Sequence, residues 1–207
     1  MRILFFTDIH GSDKHLKEII EKSHDADILV CSGDITIFEN NLDEILRKLN
    51  SIGKPVMVIN GNHESSSTVA AISMRYRNIH FIHKSSYVVG NIIFFGYGGG
   101  GFSNNDLAFD KVADNFMKVY DHLCKKKNIE LKLIFVTHAP PYGTAIDDMG
   151  GGQMEWHVGC KNFTEFIKKY QPLIAVSGHI HETFGIEDRI GNTLLFNPGP
   201  KGRIMDV

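Results

Sequence analysis

Five times along this chain a short apolar run opens into a cluster of metal-ligating residue types. The run from Ile3 to Phe6 leads to Asp8-Ile9-His10, and that from Ile28 to Val30 leads to Gly33-Asp34. The run from Val56 to Ile59 leads to Gly61-Asn62-His63-Glu64, that from Leu133 to Val136 to His138, and that from Leu173 to Val176 to Gly178-His179-Ile180-His181. In an open α/β sheet the ligand crevice lies outside the carboxyl ends of the strands, so five polar loops at five strand ends converge on one rim. A lone Asp-x-His is usually a capping carboxylate beside an exposed histidine, and a lone Gly-Asn-His a turn. Five in register are not.

Periodicity supplies the scaffold. Strand-like runs at Arg2 to Phe6, Ile28 to Cys31 and Pro55 to Ile59 alternate with amphipathic segments at Asp13 to Ser23 and Leu42 to Leu49, a β-α-β-α-β pattern. Leu16, Ile19 and Ile20 share one helical face, with Ser12 or Asp13 as N-cap. Ile79 to Ile82, Tyr87 to Val89 and Ile92 to Phe95 leave no room for helices between them and predict antiparallel pairs. A helix from Leu107 to Lys127 follows, then a strand from Leu131 to Val136, a loop from His138 to Cys160, a helix from Asn162 to Tyr170 and a strand from Leu173 to Val176. Short strands near Thr183 to Ile186 and Thr193 to Phe196 complete an α/β architecture of two packed sheets flanked by helices. With 207 residues and no linker or repeat, one domain over 1–207 is expected.

Charge narrows the partners. Lys plus Arg number 22 and Asp plus Glu 24, a formal charge of −2, so no electrostatic footprint for a large nucleic acid or an anionic membrane is present. Cys31, Cys124 and Cys160 are scattered, with no C-x-x-C pair, which argues against a disulfide framework or thiolate zinc and for a reducing cytoplasm. No apolar run reaches the roughly 18 to 20 residues of a membrane span, and Met1 to Phe6 enter a strand at once, leaving no room for a signal peptide.

The candidate ligands are two carboxylates (Asp8, Asp34), four imidazoles (His10, His138, His179, His181) and one amide (Asn62). Residues i and i+2 of an extended chain point the same way, so Asp8 and His10, and His179 and His181, can each aim at a common point. That set suffices for two cations with a shared aspartate and open positions for water. Two cations roughly 3.5 to 4 Å apart clamp the attacking and leaving oxygens of a phosphoryl group, and the implied chemistry is phosphoester hydrolysis.

The order D-x-H, GD, GNH-[DE], H, GH-x-H, running from Asp8 to His181, resembles the calcineurin-like metallophosphoesterases. The resemblance implies a four-layer αββα sandwich. It further implies one cation held by Asp8, His10, Asp34 and His181 and a second held by Asp34, Asn62, His138 and His179, with Asp34 as the bridge. His63 would stand near the scissile group as general acid or transition-state stabiliser, with in-line attack by a bridging hydroxide and no covalent intermediate. Thr137 to Gly143, His157-Val158-Gly159-Cys160 and Gly178 to Glu182 look like the branch first known from brain and fetal tissue, associated with hydrolysis of cyclic nucleotides and other phosphodiesters. Protein phosphatases of the superfamily carry Asp-Arg-Gly soon after GD, whereas here Gly33-Asp34 runs into Ile35-Thr36-Ile37-Phe38-Glu39-Asn40. A small diester is therefore the expected substrate, with a small phosphomonoester as alternative and a non-enzymatic scaffold behind both. The mixed ligand set leaves manganese, iron and zinc open, with manganese the expected ion.

Other motifs carry less. Gly96 to Gly101 formally satisfy G-x-G-x-x-G, yet Phe102 to Asn105 continue as loop, so glycines there are expected to let backbone pass close to the metal rim. Glu64 reads as structural, a candidate helix-start carboxylate, and Asn197 to Gly202 as a turn near the site. The loop from Pro140 to Cys160, with Gly150-Gly151-Gly152, is a candidate lid. Its Trp156 either stacks on a nucleobase or packs over a helix start. His15, His24, His80, His83 and His122 receive no role.

Overall fold

In the first strand, β1 (Arg2–Phe6), alternate side chains enter different cores. Ile3 and Phe5 face a second sheet, while Leu4 and Phe6 face helices, so β1 is apolar on both sides, as strands of a covered parallel sheet are. The computed structural model describes residues 1–101, 103–150 and 156–207. One sheet of five strands has the order β11-β1-β2-β3-β4, with β2 Ile28–Cys31, β3 Val56–Val58, β4 Ile79–Phe81 and β11 Arg203–Asp206. The other has six in the order β5-β6-β7-β8-β10-β9: Ser85–Val89, Ile92–Tyr97, Lys132–Thr137, Ile174–Val176, Thr193–Phe196 and Glu187–Ile190 respectively. Both sheets are mixed, since β11, β5 and β9 run antiparallel to their neighbours at the edges.

Three cores follow from this alternation. Leu16 and Ile19 of α1 (Asp13–Lys22), Leu46 of α2 (Leu42–Asn50) and Val69 of α3 (Ser66–Ser73) cover the first sheet. Phe109 and Phe116 of α4 (Leu107–Lys127) and Phe163 and Phe166 of α5 (Lys161–Tyr170) cover the second. Between the sheets, Ile3, Phe5, Val30 and Met57 meet Phe94, Ile134, Val136 and Phe196. The result is the expected four layers, two mixed sheets flanked by helices.

Local chemistry places the helix starts. The Ser12 side chain accepts the His15 N–H at 3.3 Å, choosing Ser12 over Asp13 as the cap of α1. Asp106 accepts the N–H groups of Ala108 and Phe109 at 3.0 and 3.2 Å through one oxygen and the Tyr97 hydroxyl at 2.8 Å through the other. Replacing it by Ala removes a cap and a tertiary hydrogen bond together. Asp106→Ala is expected to lower unfolding free energy by about 1 to 2 kcal/mol, read as a reduced urea midpoint at constant slope.

Several sequence expectations need correction. β4 pairs in parallel with β3 rather than joining an antiparallel meander, because α3 lies between them and supplies the crossover; of the three runs expected to form antiparallel pairs, β5 and β6 do so with each other. The α3 sequence, SSTVAAIS, buries only Val69 and Ser73 and so carries little periodic signal. The strand expected near Thr183 to Ile186 is a 3-10 turn, His181–Thr183, with β9 beginning at Glu187. β11 was not anticipated from its half-buried RIMD segment; it pairs with β1 from Arg2↔Asp206 to Phe5↔Arg203. Among the described residues no helix is long and apolar enough to cross a membrane.

Candidate metal centre

The parallel registers bring the strand ends level. Phe6 pairs with Cys31 and Cys31 with Val58 in the first sheet, and Val136 pairs with Val176 in the second. The loops that leave these ends then hydrogen-bond to one another: Asp8 N–H to Gly33 O at 3.1 Å, His10 N–H to Asp34 O at 3.1 Å, and Gly178 N–H to His138 O at 3.0 Å. Other bonds cross between the sheets. The His138 Nδ1, after β7, lies 2.8 Å from the Ser32 carbonyl after β2, and the His179 N–H reaches the Asp8 carboxylate at 3.1 Å.

Asp8 and His10 do not share an extended strand, as an i, i+2 argument assumes. Asp8, His10, Asp34 and His179 have φ of 52, 47, 48 and 70°, all in the left-handed region. The side chains therefore converge through tight turns held by the loop-to-loop bonds above. Backbone strain of this kind costs on the order of 1 to 3 kcal/mol per residue where the side chain is not glycine, and it concentrates at functional sites. Two glycines are demanded by close approach instead: a Cβ at Gly61 would overlap the Asp34 carboxylate, and one at Gly178 would overlap Thr7 and the Asp8 carboxylate.

A single oxygen, Asp34 Oδ2, faces three imidazoles, with Nε2 of His138, His10 and His63 at 3.5, 3.8 and 3.9 Å. Asp8 Oδ1 similarly faces Nε2 of His181 at 3.7 Å and of His10 at 3.8 Å, and the two Nε2 atoms are 3.1 Å apart. The 3.1 Å between the two Nε2 atoms falls within the roughly 3.0 to 3.4 Å that separates neighbouring ligands on a common ion when each bond is about 2.1 Å, whereas the carboxylate–imidazole separations of 3.5 to 3.9 Å exceed both that range and a good hydrogen bond. Among the described residues, the sets Asp8, His10, His181; His10, Asp34, His63; and Asp8, Asp34, His138 each converge closely enough to hold an ion. Asn62 Oδ1 sits 2.9 Å from His138 Nε2, and the His179 ring is 5.1 Å from that of His138. All seven sequence-predicted ligands and His63 thus lie on one rim.

The protonation pattern tests the fit. A carbonyl only accepts, so His138 Nδ1 must donate to Ser32, which leaves the neutral ring's Nε2 lone pair aimed at two further acceptors, Asn62 Oδ1 and Asp34 Oδ2. A proton or a cation at Nε2 reconciles those three atoms. Burial opposes charge on His138, but Asp34 prevails and raises its pKa above the usual histidine value. Burial likewise pushes Asp34 up, and His138, the His63 N–H and His10 outweigh it, holding the carboxyl at about 2. His179 is driven down to about 4 by burial and by His138, favouring the neutral, ligating form. Asp8 raises His181. Nδ1 of His10 and of His63 is buried without a hydrogen-bond partner among the described residues. The residues fit divalent cations.

The calcineurin-like phosphoesterase family model matches residues 1–183. This chain belongs to that family. An uncharacterised protein of Methanocaldococcus jannaschii, MJ1162, is 33% identical over 210 residues, covering 97% of this chain and 89% of the relative. The solved structure of TT1561 from Thermus thermophilus superposes with a TM-score of 0.72 at 17% identity, covering 96% of this chain and 88% of that one. A dimetal phosphatase from Danio rerio gives a TM-score of 0.66 at 11% identity, with 95% and 86% covered. The last two likenesses establish the shared fold. Membership makes this calcineurin-like phosphoesterase a metal-dependent hydrolase of phosphoesters.

Two residues of this phosphoesterase were missed or only partly read in the sequence. Glu64 does not cap α3, whose N-cap is Ser65. It is buried, and its two oxygens accept Thr36 N–H and Oγ1 at 2.7 and 2.8 Å and Gly61 N–H at 3.0 Å, tying the loop that bears Asp34 to the loop that bears Asn62. Asp147 is buried and accepts N–H groups of Gly143, Thr144 and Gly159 together with His157 Nδ1 at 2.8 Å, organising the loop after β7. That loop packs on the turn bearing His181 through Thr183 Oγ1 to Ile146 O at 3.1 Å. No sequence pattern flags Asp147; Glu64 was visible as the fourth residue of Gly-Asn-His-Glu.

The remaining motifs are placed as follows. Asn197 donates to Ile180 O at 3.0 Å and Gly199 O accepts the Thr7 N–H at 3.3 Å, so the Asn-Pro-Gly turn backs the site. Gly98 passes against Asn60, and α4 begins only at Leu107, so the glycine run serves close approach. Trp156 is exposed, with its backbone N–H on Asp148 at 2.9 Å, while Gly151 and Gly152 of the candidate lid, and Phe102, lie outside the described residues.

Proposed function

We propose that this protein is a dinuclear phosphodiesterase acting on a small diester, such as a cyclic nucleotide, in the cytoplasm. One cation would be held by Asp8, His10, Asp34 and His181 and the other by Asp34, Asn62, His138 and His179. The observation that carries the reading is the Asp34 carboxylate facing three imidazoles at 3.5 to 3.9 Å from one oxygen, the environment of a bridging ligand. When bound, two divalent ions would neutralise charge at phosphorus and lower the pKa of water to the neutral range. Manganese is the ion we favour, with iron and zinc as the other candidates for this mixed N and O donor set.

The chain's own residues do the rest. Asp8 and Asp34 fix the anionic half of the donor set, and the Ser32 carbonyl fixes the His138 tautomer, the kind of support that tunes a ligating imidazole. His63 stands beside Asp34 with its backbone N–H on Asp34 Oδ1 at 3.0 Å and its ring free to act as the acid that protonates a departing alkoxide. Among the described residues the ion pairs of Asp8 and Asp34 are all with histidines, and no lysine or arginine is paired at the centre. A diester monoanion needs less cationic compensation than a monoester dianion, which supports the diesterase reading and the affinity to the brain and fetal branch.

The test is a screen of the manganese-, iron- and zinc-reconstituted protein against cyclic nucleotides, bis-p-nitrophenyl phosphate and p-nitrophenyl phosphate. The expected result is a kcat/KM for the diester at least ~10-fold above that for the monoester, a difference of about 1.4 kcal/mol in transition-state stabilisation. The reverse ratio would make it a phosphomonoesterase. Metal-loaded protein inert toward every ester would leave a binding scaffold.

A further inference from the structure

Ile35 to Asn41, the loop that follows Asp34, is conformationally forced. Phe38, Glu39 and Asn41 have φ of 50, 64 and 59°. Asparagine tolerates this region, but a phenylalanine there is an outlier that the surroundings must impose. The imposition is visible at both ends. Thr36 is held by the buried Glu64 carboxylate at 2.7 and 2.8 Å, and the Glu39 carboxylate accepts the Ser65 N–H at 2.7 Å. Between these anchors the turn closes with Asn40 N–H on Ile37 O at 3.1 Å.

What the clamped turn displays is a phenyl ring 75% exposed, with Ile37 beside it at 45%. Large aromatics normally go inside, and a ring fixed in water by a strained backbone contributes little to the fold. Its contact is with the rim: the Phe38 and His63 ring centroids are 4.8 Å apart at 57°. His63 in turn lies 3.9 Å from Asp34 Oδ2, so a group attached to a phosphorus at the metal centre reaches the phenyl ring without a long spacer.

We propose that Phe38 is a specificity-determining residue, a platform for a planar aromatic group carried close to the phosphorus of the substrate. The proposal deepens the phosphoesterase reading and rests on it for the position of the phosphoryl group. Stacking on an exposed ring selects flat, polarisable groups over compact aliphatic ones, because both faces lose water and the offset or edge contacts are retained. The substrate class is thereby narrowed to aryl esters and esters bearing a nucleobase.

The test separates binding from turnover. Calorimetry on the manganese-reconstituted protein would compare phenylphosphonate with methylphosphonate, neither of which presents an ester bond, in wild type, Phe38→Ala and Phe38→Tyr. Wild type is expected to prefer the phenyl ligand roughly five- to tenfold, Phe38→Ala to bring the ratio within about twofold of unity, and Phe38→Tyr to keep it. A wild-type ratio near one, a preference that survives in Phe38→Ala, or no binding of either ligand overturns the platform. Parallel kinetics with phenyl and methyl esters of p-nitrophenyl phosphate distinguish a platform from a mere prop for His63. A prop predicts equal loss of kcat on both substrates with the ratio of KM values unmoved, which also overturns it. Inert protein that keeps the phenyl preference removes the hydrolase reading and leaves the platform. Active protein without the preference does the opposite.

Discussion

Asp34→Asn is expected to cut turnover at least ~10²-fold and to leave the reconstituted protein with fewer than two bound ions per chain. The amide is nearly isosteric, so the loss isolates charge. In the native site Asp34 is held at about 2, carries its negative charge throughout the physiological range and faces His138, His10 and His63 from one oxygen. An Asn at 34 offers a single neutral oxygen, cannot bridge two cations with comparable strength, and withdraws the charge that raises His138. Metal content by elemental analysis, measured with kcat on the same preparation, checks both halves. Full turnover with two ions retained would remove Asp34 from the bridging position.

His63→Ala is expected to be as damaging to turnover, again at least ~10²-fold, while leaving both ions in place. The contrast matters because His63 also converges with His10 and Asp34 in a set able to hold an ion. A ligand and a general acid differ in what their loss does: the first changes stoichiometry, the second changes the pH profile and the dependence on the leaving group. With a p-nitrophenolate leaving group, whose anion is stable near neutrality, proton donation helps little and the variant should lose less. With an alkyl leaving group the full loss should appear. Loss of an ion, together with equal damage on both substrates, would reassign His63 to the donor set.

The scaffold was legible wherever burial was two-sided and continuous. β1, β2 and β10 could be bounded from sequence because their residues are apolar or β-branched almost without interruption, and α4 because its pattern persists for 21 residues. α3 and β11 were not, since each is short and only partly buried, so its composition reflects solvent as much as core. At the site, the residue types and their order were readable, but the reason they converge was not. Alternation along a strand predicted that Asp8 and His10 share a direction; the chain instead turns left-handed at both, a geometry fixed by bonds to Gly33 and Asp34, which lie far along the sequence. Phe38 escaped notice for a related reason. Its chemistry lies in where the loop puts it, and nothing in the letters Ile-Thr-Ile-Phe-Glu-Asn announces a ring held out over His63.

The donor set is contributed partly by one sheet and partly by the other, and beneath the loops their mutual distance is set by the dry seam where Phe5 meets Phe196 edge to face at 5.2 Å. A metal held by this donor set would therefore act as a gauge of that seam. Close-packed interiors transmit small volume changes, so trimming a methyl group deep between the sheets would shift affinity for ions without altering a single ligand. Drift at such remote positions is a route by which relatives with identical donor residues could come to prefer different ions.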